Sequence, residues 1–253
     1  FKFSRWLKRP ETSVKKYRVR KKDALSVIER IRSEERKFLL EYEAYQVLAA
    51  YGFPVIKSTI ARNTDEVVKK AKEIGFPVVL KISSPDVIHK FDLGGVKLDL
   101  NNEKDVHNAF QEIIESIHKH KPDAEIQGVI VEEMAAPGRE VILGMNRDPQ
   151  FGPILMFGMG GIYVEALEDV TFRLAPITEL SASRMITQTK THKILKGFRG
   201  GPEYDVPAIE DCLKRLSQLV IDFPQIKELD INPLIVREKG KGCQVVDARL
   251  ILE

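Results

Sequence analysis

The chain lacks most of the patterns by which large protein classes are recognised. Its 253 residues include only two cysteines, Cys212 and Cys243, 31 positions apart and outside any C-x-x-C pair. That argues against a disulfide framework and a cysteine zinc site, and it suits a reducing cytoplasm. Long apolar runs are missing as well. The densest, Ile154 to Phe157, is four residues between Pro153 and Gly158, where a membrane span needs roughly 20. The N-terminus is basic but has no apolar stretch with a small-residue cleavage site, so neither a secretory signal nor a membrane partner is expected.

Acidic residues are nearly absent from one segment. Residues 1–22 hold ten Lys or Arg against Glu11 alone, so the net charge of +3 conceals an acidic remainder with 30 basic and 36 acidic side chains. A basic extension can contact nucleic acid or lipid. Apart from Trp6 no aromatics interleave with its charges to stack on bases, so a solvated extension is expected and nucleic acid is not.

At 43% apolar residues the chain can bury a sizeable core. Asp23 to Tyr51 has helical periodicity without Pro or Gly, closed by Gly52 and Pro54. A short strand is expected over Val55 to Ala61, and a helix from the Asn63–Glu66 start signal to Gly75. Val78 to Ile82 and Val96 to Leu100 read as neighbouring strands. Asn101/Asn102 caps a helix whose apolar face is Val106, Phe110, Ile113, Ile114 and Ile117. Gly128 to Met134 and Arg139 to Met145 are strands, followed by Ile154 to Phe157 and the glycine loop Gly158 to Gly161. A strand near Val170 to Ala175 precedes helices near Glu179–Lys190 and Val206–Val220. The chain ends in a hairpin of Ile226 to Arg237 and Cys243 to Leu252. Hairpins mixed with helices imply an α+β class. The expected division is a basic extension (1–22), a first subdomain (23–127) and a second (128–253).

No Walker A loop, zincin motif or G-x-S-x-G is present, and Gly158-Met159-Gly160-Gly161 has Tyr163 where a dinucleotide fingerprint needs its third glycine. Four other features carry chemistry. In PVVLKISSPDVIHKFDLGGVK, Pro77 to Lys97, a strand ends near Lys81, a polar loop carries His89 and Lys90, and Gly94-Gly95 turns the chain back. Such a stretch can offer a lysine, an imidazole and backbone N–H groups to a phosphate chain. It also reads as a plain hairpin with a surface histidine. In the terminal hairpin, a turn near Gly240 puts Asn232 within one residue of directly opposite Asp247. Asp230 shares a face with Asn232. Hard oxygen donors of this kind suit Mg²⁺ that also binds phosphates; a strand irregularity with local side-chain caps is the other reading. Glu132-Glu133 and Arg139-Glu140 flank a turn, either to meet a nucleoside or as ordinary solvated charges. The remaining histidines, His107, His118, His120 and His192, lie in polar contexts and carry no assignment.

Taken together, VVLKISSPDVIHKFDLGGVKL, VIVEEMAAPGREVILGMNRDPQFGPILMFGMGGIYVE, FRLAPIT and ELDINPLIV…VVDARLIL resemble the nucleotide-binding β subunit of ADP-forming acetyl-CoA synthetases, from about Glu41 to Leu252. More distantly they resemble the β subunit of succinyl-CoA synthetase. The resemblance implies an ATP-grasp fold of two α+β subdomains enclosing ATP or ADP with Mg²⁺. It implies acyl-CoA + ADP + phosphate ⇌ carboxylic acid + CoA + ATP, carried out with a CoA-binding α subunit in a cytoplasmic hetero-oligomer such as α2β2. By the same resemblance His89 is transiently phosphorylated, with Asp230 orienting it or contacting the metal. Lys81, Gly94, Gly95, Glu132, Glu133, Met134 and Glu140 bind the nucleotide, and Asn232 and Asp247 bind Mg²⁺. Arg173 and Glu165 are weaker candidates for phosphate and interface contacts. Where the family has H-K-S-D, this chain has His89-Lys90-Phe91-Asp92, so one loop hydroxyl is missing. A nucleotide-binding regulatory module without turnover and a basic-tailed nucleic-acid adaptor are the alternatives.

Overall fold

Two antiparallel sheets organise the molecule. The structure is a computed structural model that describes residues 13–87, 90–161 and 169–253. In chain order the elements are α1 (Lys21–Ser33), β1 (Phe38–Leu39), α2 (Glu41–Ala50), β2 (Ser58–Ala61), α3 (Thr64–Ile74), β3 (Val78–Ser83), β4 (Val96–Leu100), α4 (Glu103–His120) and β5 (Gly128–Glu133). Then come β6 (Arg139–Asp148), β7 (Gly152–Met159), β8 (Val170–Leu174), α5 (Glu179–Thr187), α6 (Thr191–Leu195), α7 (Val206–Asp222), β9 (Ile226–Val236), β10 (Cys243–Val245) and β11 (Ala248–Leu252). Among the described residues no helix is long and apolar enough to cross a membrane.

The small sheet runs β2-β5-β3-β4. Its strands alternate: Val78, Leu80 and Ile82 of β3, with Val129 and Val131 of β5, face a core closed by Val67 and Ala71 of α3 and Val106, Phe110, Ile113 and Ile117 of α4. Both helices begin where the sequence says they should. The Asn63 and Asn102 side chains accept from the N–H groups of Glu66 and Asp105, satisfying donors that a helix start leaves open. The large sheet runs β1-β11-β9-β6-β7-β8, with β10 also paired to β9. Val141, Leu143, Leu155, Phe157, Leu229 and Ile231 project from one face of it into a core formed with α1, α2, α5 and α7.

The structure corrects three expectations. The helix expected over Asp23 to Tyr51 is two helices. Glu35 takes a left-handed conformation, φ 55°, and the strand β1 pairs with β11 before α2 begins. What restarts the helix is Glu43, which is buried and reaches back to the Leu40 N–H at 2.8 Å while Arg36 donates to it at 2.8 and 2.9 Å. Helical periodicity on both sides of residues 34–40 hid the break, because no Pro or Gly marks it. Second, the strand beginning at Gly128 does not open the second subdomain. It hydrogen-bonds to β2 and β3 in the small sheet, whereas α1 and α2 pack in the large core. The modules are therefore 58–133 on one side, and the segment around α1 to α2 together with 139–252 on the other. Third, the basic segment is not wholly a solvated extension. Tyr17 Oη donates to Asp211 at 2.6 Å, its backbone N–H to Gln218 at 2.7 Å, and Lys21 pairs with Asp222 at 3.2 Å, all on α7.

Removing the Glu43 carboxylate orphans the Leu40 N–H. Glu43→Ala is expected to lower stability by about 1–3 kcal/mol in urea denaturation, with Glu43→Gln, which keeps an acceptor, recovering part of the loss. Equal losses in the two variants would show that the cap is not what matters.

Candidate active site

A buried lysine defines the centre of the site. Strand alternation that sends Leu80 and Ile82 into the small core puts Lys81 on the opposite face of β3, where Glu132 of the adjacent β5 also points. Lys81 Nζ meets Glu41 Oε1 at 2.6 Å, Glu132 Oε2 at 2.9 Å and the Val246 carbonyl at 2.7 Å. That carbonyl is available because the terminal strand breaks at Val246-Asp247, between β10 and β11. Glu41 also takes Lys90 as an ion-pair partner and accepts from Tyr45 Oη at 2.7 Å.

Burial alone would push the Lys81 ammonium down, but Glu41 and Glu132 hold it well above its ordinary value. Burial likewise opposes the charge on Glu41, yet Lys81 and Lys90 together hold its carboxyl down at about 2. Glu132, with only a share of Lys81, is pushed up to about 7 by burial and then by Glu41. Among the described residues its second oxygen, Oε1, is buried without a hydrogen-bond partner.

The terminal hairpin has the expected register. Leu234 pairs with Val245 and Ile231 with Ala248, so Asn232 lies directly opposite Asp247, and its N–H donates to the Asp247 carbonyl at 3.3 Å. Asp230, Asn232 and Asp247 all line a cleft of about 580 Å³, together with Glu41, Lys90 and Arg249. Burial lifts Asp230 to about 6; Asp247 has its side chain exposed at the cleft, and the protein packed around it together with the nearby Glu41 charge lifts it to about 6. Asp247 therefore sits in a field that a cation would relieve. Asn232 Oδ1 accepts from Gly161 N–H at 3.1 Å, which leaves a lone pair for another partner. Among the described residues no group of three or more His, Cys, Asp or Glu is arranged to hold a metal. Two oxygen donors with the remaining positions left to phosphate and water is a set that fits Mg²⁺.

The other expected residues fall into three groups. Glu140 is brought to the same place through the glycine loop, since a side chain on Gly161 would collide with its carboxylate. Glu133 and Met134 lie at the end of β5, where Glu133 accepts from Gln244 at 3.0 Å and the Met134 N–H is taken by the Pro77 carbonyl at 3.1 Å. Gly94 and Gly95 do not offer free donors. Their N–H groups close the turn on the Phe91 and Lys90 carbonyls at 3.1 and 2.7 Å, and a Cβ on Gly95 would stand 2.6 Å from Ile82 Cγ2. Gly95 is glycine for space, and Gly94, at φ 68°, for its left-handed backbone as well. Phe91, where the family has serine, is 73% exposed. Arg173 sits at the far edge, bonded to the Phe172 carbonyl. His89 and Glu165 lie outside the described residues, although Val87 and Lys90 on either side of His89 both line the cleft.

Sequence reasoning missed Glu41. As one of two acids in the first turn of α2 it carries no individual signal; only its i, i+4 spacing to Tyr45, inside an otherwise apolar run, hints at burial.

Residues 30–252 match the ATP-grasp domain model, and the chain belongs to the ATP-grasp family. It is 49% identical over 234 residues to the β subunit of acetate–CoA ligase (ADP-forming) II of Pyrococcus furiosus, covering 92% of this chain and 99% of that one. It is 50% identical over 248 residues to the 4-hydroxybutyrate–CoA ligase (ADP-forming) of Nitrosopumilus maritimus, covering 98% of this chain but only 36% of that protein. The latter likeness extends into the basic segment, beyond the stretch from Glu41 to Leu252 on which the resemblance was first drawn. Among solved structures, the chain superposes with a TM-score of 0.81 and 44% identity on "Ca. Korarchaeum cryptofilum dinucleotide forming Acetyl-coenzyme A synthetase 1", in complex with coenzyme A and Mg-AMPPCP, over 91% of this chain and all of that one.

The Glu132 carboxyl binds its proton more tightly in the folded chain than in the unfolded one. Its charge therefore lowers stability as pH rises from 4.5, the ordinary value, to about 7. Glu132→Gln removes this titration. Thermal unfolding from pH 4 to 8 should show the variant gaining on the wild type by about 1–3 kcal/mol across that window and holding the gain above it. A wild type that gains on the variant over the same window would reverse the assignment.

Proposed function

We propose that this chain is the nucleotide-handling part of an ADP-forming acyl-CoA synthetase, transferring phosphate between ATP or ADP and His89. The observation that carries the proposal is the pairing of Asn232 with Asp247 in one cleft with Lys90 and with Glu41, the partner of the buried Lys81. That combination joins oxygen donors for a hard cation to ammonium groups for phosphates. Asn232 and Asp247 would hold Mg²⁺, which when bound offsets charge on the phosphate oxygens.

Lys81, its three donors taken by Glu41, Glu132 and the Val246 carbonyl, would hold its charge in one place beside the cleft. Such preorganisation is what transfer of a phosphoryl group requires, since the reacting groups need little reorganisation. The unpartnered Glu132 Oε1 is suited to accept from the nucleotide. The end of β5 at Glu133 and Met134 would flank the base, with Glu140 toward the ribose. A neutral nitrogen of His89 attacks the terminal phosphorus, the bond to the ADP oxygen breaks, and ADP leaves. The reverse step regenerates ATP. Asp230, on the face that Asn232 shares, would orient the imidazole.

The remaining half-reaction, in which phosphate displaces CoA from acyl-CoA to give acyl phosphate and the phosphoryl group is then relayed through a partner histidine to His89 with release of the acid, needs a CoA site. A CoA-binding α partner, as the β-subunit designation of the Pyrococcus relative supports, would supply it within a hetero-oligomer such as α2β2. This chain alone then catalyses the phosphorylation half only. The relatives are named for acetate and 4-hydroxybutyrate, so a small carboxylic acid is the substrate class to test first.

Labelled ATP with Mg²⁺ is expected to give an acid-labile, alkali-stable phosphoprotein, lost in His89→Asn. Label that persists in the variant would remove His89 from the relay. ATP binding without any label would instead support a regulatory nucleotide-binding module.

A further inference from the structure

Glu41 is the point at which the two modules share a charge. It opens α2, which packs in the large core. Yet both of its ammonium partners belong to the small module, Lys81 on β3 and Lys90 in the loop between β3 and β4. The two lysines are not held alike. Lys81 has Glu132 and the Val246 carbonyl besides Glu41, and its side chain is 13% exposed. Lys90 has Glu41 as its ion-pair partner among the described residues, and its side chain is 22% exposed. Of the two, Lys90 is therefore the one free to change partner at little cost. It also follows His89 directly in the chain, and it lines the cleft with Asp230, Asn232 and Asp247.

A carboxylate that pairs with a lysine in a cleft lined for a polyphosphate competes with that polyphosphate. Replacing one anion by another on the same ammonium preserves the charge pairing, so the exchange avoids leaving a buried cation bare. While the pair is made, the Lys90 end of the loop is tied to α2.

We propose that Glu41 is a positioning residue of this site, holding Lys90 at the cleft and yielding it to a nucleotide phosphate on binding. The proposal rests on reading the cleft as the nucleotide site. It assigns Glu41 a cost in affinity and a gain in turnover: the carboxylate must be displaced, but it keeps Lys90 in place before the phosphate arrives.

The test uses the full chain, with ADP affinity measured by calorimetry and turnover by phosphorylation from labelled ATP. Glu41→Gln should bind ADP roughly 5- to 10-fold more tightly, because Lys90 no longer has to be released. It should also phosphorylate at least about 10-fold more slowly at saturating ATP, a split between affinity and rate that simple loss of structure does not produce. Glu41→Asp should fall between Glu41→Gln and wild type in both. Lys90→Gln should weaken ADP binding about 5-fold or more, and in the Lys90→Gln background Glu41→Gln should bring no gain in affinity. Weaker or unchanged ADP binding by a folded Glu41→Gln overturns the proposal. If that variant does not fold, wild-type affinity in Lys90→Gln overturns it instead. Absence of ADP binding by the wild type would strike the nucleotide-site reading itself, which the variants then do not enter.

Discussion

The site depends on burying the Lys81 ammonium. An amine removed from water keeps its charge only beside anions and acceptors, and three different parts of the chain supply them. Glu41 comes from the large module, Glu132 from the neighbouring strand of the small sheet, and the Val246 carbonyl from the broken terminal strand. None of these is close to Lys81 in sequence, so the charge cluster forms only when the modules are docked. The charge count follows directly. Glu41, Glu132 and Asp247 face Lys81 and Lys90, one carboxylate in excess, and the excess is expressed as raised proton affinity at Glu132 and Asp247. A polyanion entering such a place needs a cation with it, which is the chemistry that the opposed Asn232 and Asp247 suit.

The large sheet places the acidic residues by simple alternation. Leu229 and Ile231 point into the core, so Asp230 and Asn232 point the other way. Across the sheet Asp230 pairs with Arg249 on one side and with Gly144 on the other. A Cβ at Gly144 would lie 3.0 Å from Met156 Cε and 3.6 Å from Asp230 Oδ1. Glycine there spares Met156 a tight contact, while Asp230 would meet only an ordinary one. Functional groups carried on paired strands keep their separations better than groups on loops, and here the hairpin register alone decides that Asn232 meets Asp247.

What could be read from the sequence divides along physical lines. Local signals held: the Asn63 and Asn102 caps, the apolar face of α4, and the alternation and register of the terminal hairpin all depend on residues near one another in the chain. Family motifs brought Lys81, Glu132, Asn232 and Asp247 into view together. What failed depended on distant partners. The break between α1 and α2 is set by the Glu43 carboxylate, two arginines and pairing with β11 near the C-terminus, and no local breaker residue announces it. The division at residue 128 failed because strand order in a sheet is not chain order; β5 completes the sheet that β2 and β3 began. Gly94 and Gly95 also have reasons that no local motif announces, since a side chain would meet Ser116 at the first and Ile82 at the second.

Glu41 shows why such a site is harder to see than its helices. By local rules an acid in the first turn of a helix is ordinary, because it favours the positive end of the helix dipole. That same preference lets a carboxylate stand at the head of α2 without disturbing the helix, and the docking of α2 then carries it into the cleft with its charge intact. Asp230 is the contrasting case. It sits on a strand whose neighbours are core residues, no helix dipole favours it, and burial raises its proton affinity. A titratable group with a shifted pKa in a cleft lined by other charged residues is a signature of function more than of stability. The residue consistent with its local context disappears into the fold, while the inconsistent one marks the site. The cleft needs both kinds, since the preorganised lysines depend on the first and the chemistry at its mouth on the second.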